Sequence, residues 1–201
     1  MCSWCWGFSP VIDEIATAYR DRLTVTLVMG GLRPGTTEPM RPNQREEILH
    51  HWHEVHRRTG QAFRFEGAMP DGFVYDTEPP CRAVVAMAAM KPDATRAYFE
   101  RIQAAFYLDG RDVTQRGVLV ALAAECGVTA DRFGPVFDAP EVKTRTREEF
   151  VQVYRWGVRG FPTVLWQQAG DVRVLTHGYQ PFEALQPMLD AWLDNDQEPG
   201  T

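Results

Sequence analysis

The sequence predicts an α/β fold in which a long helical stretch interrupts one β/α unit. Three observations carry this reading. Near the start, residues 11–19 place apolar side chains at 11, 12, 15, 16 and 19, one helix face, and residues 23–29 (Leu-Thr-Val-Thr-Leu-Val-Met) alternate like a strand. Between residues 43 and 156, apolar positions recur at helical spacing and are punctuated by Gly60, Pro92, Gly110, Gly127 and Pro140. At the end, two strand-like runs flank a turn and precede a last helix.

In order, the expected elements begin with a helix whose first turns Ser9-Pro10 kink. A strand over 23–29 follows, ended by Gly30-Gly31, then a proline-rich loop over 32–42. Residues 43–58 suit a helix and 61–79 a long loop. Helices are expected at 81–90, about 93–107, 114–126, 130–138 and 141–156. Thr163–Gln168 and 172–176 form a hairpin around Ala169-Gly170-Asp171, and a helix spans 182–194. Residues 1–31 and 157–195 thus form one discontinuous domain, 32–156 its helical insertion with connecting loops, and 196–201 a disordered tail.

Bulk properties narrow the function. The chain has 201 residues, 44% hydrophobic and 24% charged, as in soluble globular proteins. Its net charge of -6 argues against a nucleic-acid partner, which needs a basic face. No run reaches the ~18 apolar residues of a membrane span, and no basic n-region with a long apolar stretch marks a signal peptide. The expectation is a cytoplasmic protein with no membrane partner and an open oligomeric state. Four cysteines are too few for a disulfide framework. Cys81 and Cys126 are expected to be small buried hydrophobes.

The chemistry centres on Cys2-Ser3-Trp4-Cys5. Two thiols three residues apart at a helix start can close and reopen a small disulfide loop. The pair alone is weak evidence. Structural zinc would need two further ligands, and no second C-x-x-C exists. The other element is Gly157-Val158-Arg159-Gly160-Phe161-Pro162-Thr163 just before a strand, a natural place for a cis X-Pro bond.

Together, the C-x-x-C at a helix start and G-F-P-T before a terminal hairpin and helix resemble the thioredoxin fold. The helical insertion resembles its DsbA-like branch. The stretches C-S-W-C-W-G-F-S-P, G-G-L-R-P-G, T-E-P-P-C-R-A-V and G-F-P-T-V are similar to the FrnE-like DsbA family of thiol–disulfide oxidoreductases. The resemblance implies Cys2 as attacking thiol, its thiolate favoured by the helix N-terminus, and Cys5 as resolving thiol. It implies Pro162 in cis opposite the pair, with Phe161 presenting backbone to an extended substrate and Thr163 also expected to bind substrate. Ser3 and Trp4 tune the redox poise and, with Trp6 and Phe8, are expected to bind substrate. Ser3-Trp4 lacks the cationic His of strongly oxidising relatives, so a less oxidising couple is expected. Partners are protein or small-molecule thiols and disulfides. No cofactor is needed, since the electrons reside on the thiols, and glutathione is kept as a candidate co-substrate.

The family also carries a central strand before its C-x-x-C, which the resemblance implies for a native chain extending upstream of Met1. Two other readings stand beside the first. One is a kappa-type glutathione transferase or 2-hydroxychromene-2-carboxylate isomerase, whose members carry Ser at the first position and lack the second Cys. The other is a non-catalytic partner-binding or chaperone-like module. His50, His51, His53 and His56 are read as a solvated or partly buried helix face, and Arg82 as structural.

Overall fold

The computed structural model describes residues 1–168 and 170–195. Helix α1 spans Ser3–Ala18 and α2 Pro42–Thr59. Then come α3 (Glu78–Met90), a 3-10 turn at Pro92–Ala94, α4 (Thr95–Tyr107), α5 (Arg116–Glu125), α6 (Ala130–Asp138) and α7 (Pro140–Arg155). Strands β1 (Thr163–Gln168) and β2 (Asp171–His177) and helix α8 (Phe182–Asn195) complete the described chain. The expected tail at 196–201 and the turn residue Ala169 lie outside the described residues.

Local chemistry sets the helix ends. Pro42 opens α2, where its missing N–H costs nothing, and the Gln44 side chain accepts from the Arg41 N–H at 3.0 Å. Gly60 stops α2 in the left-handed region, φ 74°, which a Cβ disfavours. Pro10 does not break α1, which runs through it.

The strand expected at 23–29 is not one. Leu23, Val25, Leu27 and Met29 turn inward while Thr24, Thr26 and Val28 are exposed, so the alternation is real. A strand, however, needs a ladder partner about 4.8 Å away. Between this extended segment and β1 lies an apolar groove of about 800 Å³, and among the described residues β1 pairs only with β2, antiparallel, with a register shift after Val164. The Met29 N–H is instead tied to the Glu149 carboxylate of α7 at 2.8 Å.

Two apolar clusters hold the molecule, and α1 joins both. Trp6 and Met29 pack with residues of α2–α7 around Trp52, Tyr107 and Leu122. Phe8, Val11 and Ile15 pack with Leu175 of β2 and Leu185 and Leu189 of α8. Glycine lets α1 and α2 approach: a Cβ on Gly7 would lie 2.6 Å from Val55. The first turn of α1 is thereby fixed between the helical layer and the hairpin. Among the described residues, no helix is long and apolar enough to cross a membrane.

Candidate redox site

Cys2 is the N-cap of α1, extended at φ -130° and ψ 119°, and its carbonyl accepts the Trp6 N–H at 3.1 Å. Cys5 lies one turn into the helix. Both thiols are free and half-buried. The Cys5 thiol beside Cys2, and then the backbone N–H groups of Cys5 and Trp4, favour the Cys2 anion over the opposing effect of burial. The Cys2 pKa falls to about 7. Cys5 moves the opposite way: its proton is shared with Cys2, and burial and the neighbouring charge hold it well above the ordinary thiol range. One helix turn therefore separates a thiol that ionises easily from one that does not.

The G-F-P-T loop comes to this pair from about 160 residues away. The Phe161–Pro162 bond is cis. As a thiol, Cys2 donates to the Phe161 carbonyl at 3.6 Å. Pro162 is buried, and its carbonyl accepts the Gly178 N–H at 2.7 Å, which ties the loop to the end of β2. The Thr163 hydroxyl donates to the Gly160 carbonyl at 2.8 Å and lies 3.3 Å from His177 Nδ1.

The aromatic residues expected to bind substrate divide. Trp6 is 8% exposed, stacks on Tyr107 and donates its ring N–H to the Ala62 carbonyl at 2.9 Å. Phe8 is 2% exposed in the other cluster. Both are buried in the core, and Phe8 also lines the apolar groove with Cys5 and Pro162. Residues 6 and 8 are two apart, about 200° around a helix, and each meets a different apolar layer. Trp4 remains half-buried at the surface, as does Ser3 in the first turn.

Side chains that the sequence did not mark complete the surroundings. Tyr179 lies 6.5 Å from Trp4 and edge-on to Phe8 at 6.2 Å. Tyr75 donates to the Met1 carbonyl at 2.9 Å, and burial pushes its phenol up. Gly30 faces the Phe161 ring. Only the doublet Gly30-Gly31 and the glycine ending β2 hinted at such close approaches. Cys81, at the start of α3, is half-buried and its pKa is pushed up to about 11 by burial. Cys126 is likewise half-buried.

The remaining candidates are structural. His53 stacks on Phe65 with ring centres 4.0 Å apart, and His56 Nδ1 lies 2.8 Å from the Gln61 carbonyl. Arg82 pairs with Glu78 at 2.9 Å and covers the Phe137 ring. Among the described residues, no group of three or more His, Cys, Asp or Glu is placed to hold a metal ion.

Cys2 at the N-cap of α1, half-buried Cys5 one turn on and the Phe161–Pro162 loop bonded to Cys2 thus form a candidate thiol site within a largely helical molecule. Residues 1–190 match the DSBA-like thioredoxin domain, and the chain belongs to that family. Among solved structures, it is similar to a "putative protein disulfide isomerase" from Nitrosomonas europaea. That protein is 47% identical with a TM-score of 0.92, over 97% of this chain and 94% of the other. It is also similar to the cytosolic disulfide reductase DsbM from Pseudomonas aeruginosa, 28% identical with a TM-score of 0.79, over 97% and 95% of the two chains. The same reductase with GSH gives 28% identity and a TM-score of 0.77, over 96% and 95%. No curated protein matches the chain.

Proposed function

We propose that this protein is a cytoplasmic thiol–disulfide oxidoreductase acting through Cys2 and Cys5 on protein or small-molecule disulfides. The observation that carries the reading is the placement of Cys2 at the N-cap of α1, 3.6 Å from the Phe161 carbonyl, with Cys5 one turn on; the opposed ionisation of the two thiols agrees with it. The Cys2 thiolate attacks one sulfur of a substrate disulfide, forms a mixed disulfide and expels one substrate thiolate. Cys5 then loses its proton and attacks Cys2 sulfur, which closes the Cys2–Cys5 disulfide and releases the second thiolate. Two electrons pass from the pair to the substrate, and solvent protons convert its thiolates to thiols. The backbone of Phe161, beside buried Pro162 and just ahead of β1, suits the main chain of a peptide substrate. Glutathione is the natural candidate for recycling the pair, in keeping with the relative solved with GSH.

The test is mass spectrometry of the reduced protein treated with oxidised glutathione. Native protein is expected to lose two thiols and gain an internal disulfide. Cys5→Ala is expected to accumulate a glutathione adduct on Cys2, and Cys2→Ser to form neither. A thiol count unchanged in all three overturns the reading.

A further inference from the structure

Arg58 lies near the end of α2 and is exposed. Its guanidinium carbon is 5.7 Å from the centre of the Trp4 ring, between the two cysteines in sequence, and 5.8 Å from the Tyr179 ring. Tyr179 directly follows Gly178, which hydrogen-bonds Pro162. The two rings therefore bridge the first turn of α1 and the loop opposite Cys2, and Arg58 sits on that bridge.

Many arginines of this chain are engaged: Arg22, Arg96, Arg101, Arg111 and Arg116 each pair with a carboxylate. Arg58 pairs with none among the described residues. A guanidinium resting on aromatic faces keeps its N–H fork free for a carboxylate and loses little freedom in binding one. The placement also matters against the charge of the whole chain, -6, which opposes the approach of anions. A cation over the Trp4 ring, two residues from Cys2, offsets that opposition on the side of the site that Trp4 and Tyr179 form.

We propose that Arg58, held by Trp4 and Tyr179, selects disulfides bearing a carboxylate close to the S–S bond. The proposal rests on the reading of Cys2 and Cys5 as a disulfide-reducing pair. The reaction is the two-step exchange given above, with both substrate halves leaving as thiols. Arg58 is a binding and positioning residue and takes no part in electron or proton transfer.

Two small disulfides of similar length and opposite charge provide the test: dithiodipropionate, a dicarboxylate, and cystamine, a diammonium. Stopped-flow tryptophan fluorescence of the pre-reduced protein gives the second-order rate of oxidation by each, with no recycling partner. The quantity read is the dicarboxylate-to-diammonium rate ratio. Arg58→Ala is expected to lower it roughly 1.5–5-fold, the size of one exposed charge pair, and Arg58→Glu to lower it further. Arg58→Lys is expected to recover part of the ratio, because charge without the planar fork remains. At ~1 M salt, where screening acts over about 3 Å, the ratios of all four proteins are expected to converge. A ratio unchanged in Arg58→Ala and Arg58→Glu overturns the proposal while leaving the redox reading intact. Native protein oxidised by neither disulfide overturns both.

Discussion

At the scale of single residues, the two sulfurs at the start of α1 share one proton. Cys5 holds it, and Cys2 ionises near pH 7 as a result. Alkylation of Cys2 by iodoacetamide is therefore expected to rise tenfold per pH unit below about 7 and to level off above it. Below the midpoint Cys2 is the protonated, unreactive thiol; above it the thiolate is already complete. Cys5→Ala removes the largest stabilising cause and leaves burial opposing the anion, so the midpoint should move up toward the ordinary thiol range near 9. An unmoved midpoint would assign the shift to the backbone N–H groups instead. A second residue, Gly30, acts through Phe161. A Cβ there would lie 2.1 Å from the Phe161 ring, a distance no packing tolerates. In Gly30→Ala the ring must move, and where its own side-chain torsions do not absorb the shift the carbonyl that faces Cys2 moves with it. Displacement of about an ångström can cost a reaction about a hundredfold; oxidation of the reduced protein by glutathione disulfide is expected to slow roughly tenfold or more. Native-like rates in that variant would show that the side-chain torsions absorb the shift or that the Phe161 carbonyl does not position the reaction.

At the scale of elements, two contacts fix the pieces around the site. An exposed helical glycine changed to alanine normally stabilises by about 1 kcal/mol. Gly7→Ala in α1 should do the reverse, costing about 1–3 kcal/mol in urea unfolding, because the new methyl meets Val55 at 2.6 Å and Thr59 at 3.0 Å. Stabilisation would mean that α1 and α2 separate freely. The extended segment 23–29 depends on Glu149 at its end. Burial raises the pKa of that carboxyl. Glu149→Gln keeps an acceptor for the Met29 N–H and removes the half-buried charge, so its stability should equal or exceed that of the native chain. Glu149→Ala leaves the N–H unpaired and should cost roughly 1–3 kcal/mol. Equal loss in both variants would show that charge, not the hydrogen bond, matters there. These elements also mark how far the sequence could be read. The helices from residue 42 to 155 followed from apolar spacing, Pro and Gly, all local signals. The inward alternation of Leu23, Val25, Leu27 and Met29 was equally local and equally visible. Whether it became a strand depended on a partner across the groove, which no local pattern encodes. In the site, C-S-W-C and G-F-P-T carried their own chemistry and could be paired by resemblance. Arg58, Tyr179 and Gly30 could not, because their roles exist only through contacts with residues far away in the chain. The division of Trp4, Trp6 and Phe8 lay between the two cases. Helical geometry puts 4 and 8 on one face and 6 opposite, but the sequence does not say that both faces meet apolar layers.

At the scale of the whole molecule, α1 couples the two apolar clusters through one rigid element. Trp6 belongs to the helical cluster, Phe8, Val11 and Ile15 to the cluster with β2 and α8, and the redox pair heads the same helix. The Tyr19 hydroxyl donates to Asp190 of α8 at 2.6 Å just beyond the end of α1, closing the connection. Loss of either cluster exposes a face of α1, so neither can melt while leaving the helix, and the site, intact. Calorimetry is thus expected to show one transition, with calorimetric and van't Hoff enthalpies equal. Leu122→Ala in the helical cluster and Leu189→Ala in the other, at 0% and 2% exposure, should each cost about 2–5 kcal/mol. Both should lower the temperature of that single peak rather than split it. Two resolved peaks, with Leu122→Ala moving one and Leu189→Ala the other, would mean that the clusters unfold independently. Cys81 and Cys126, which pack against the helical cluster, would then become alkylatable with the peak that Leu122→Ala moves. Coupled clusters predict instead that they and Cys5 become alkylatable in step with the single transition in both.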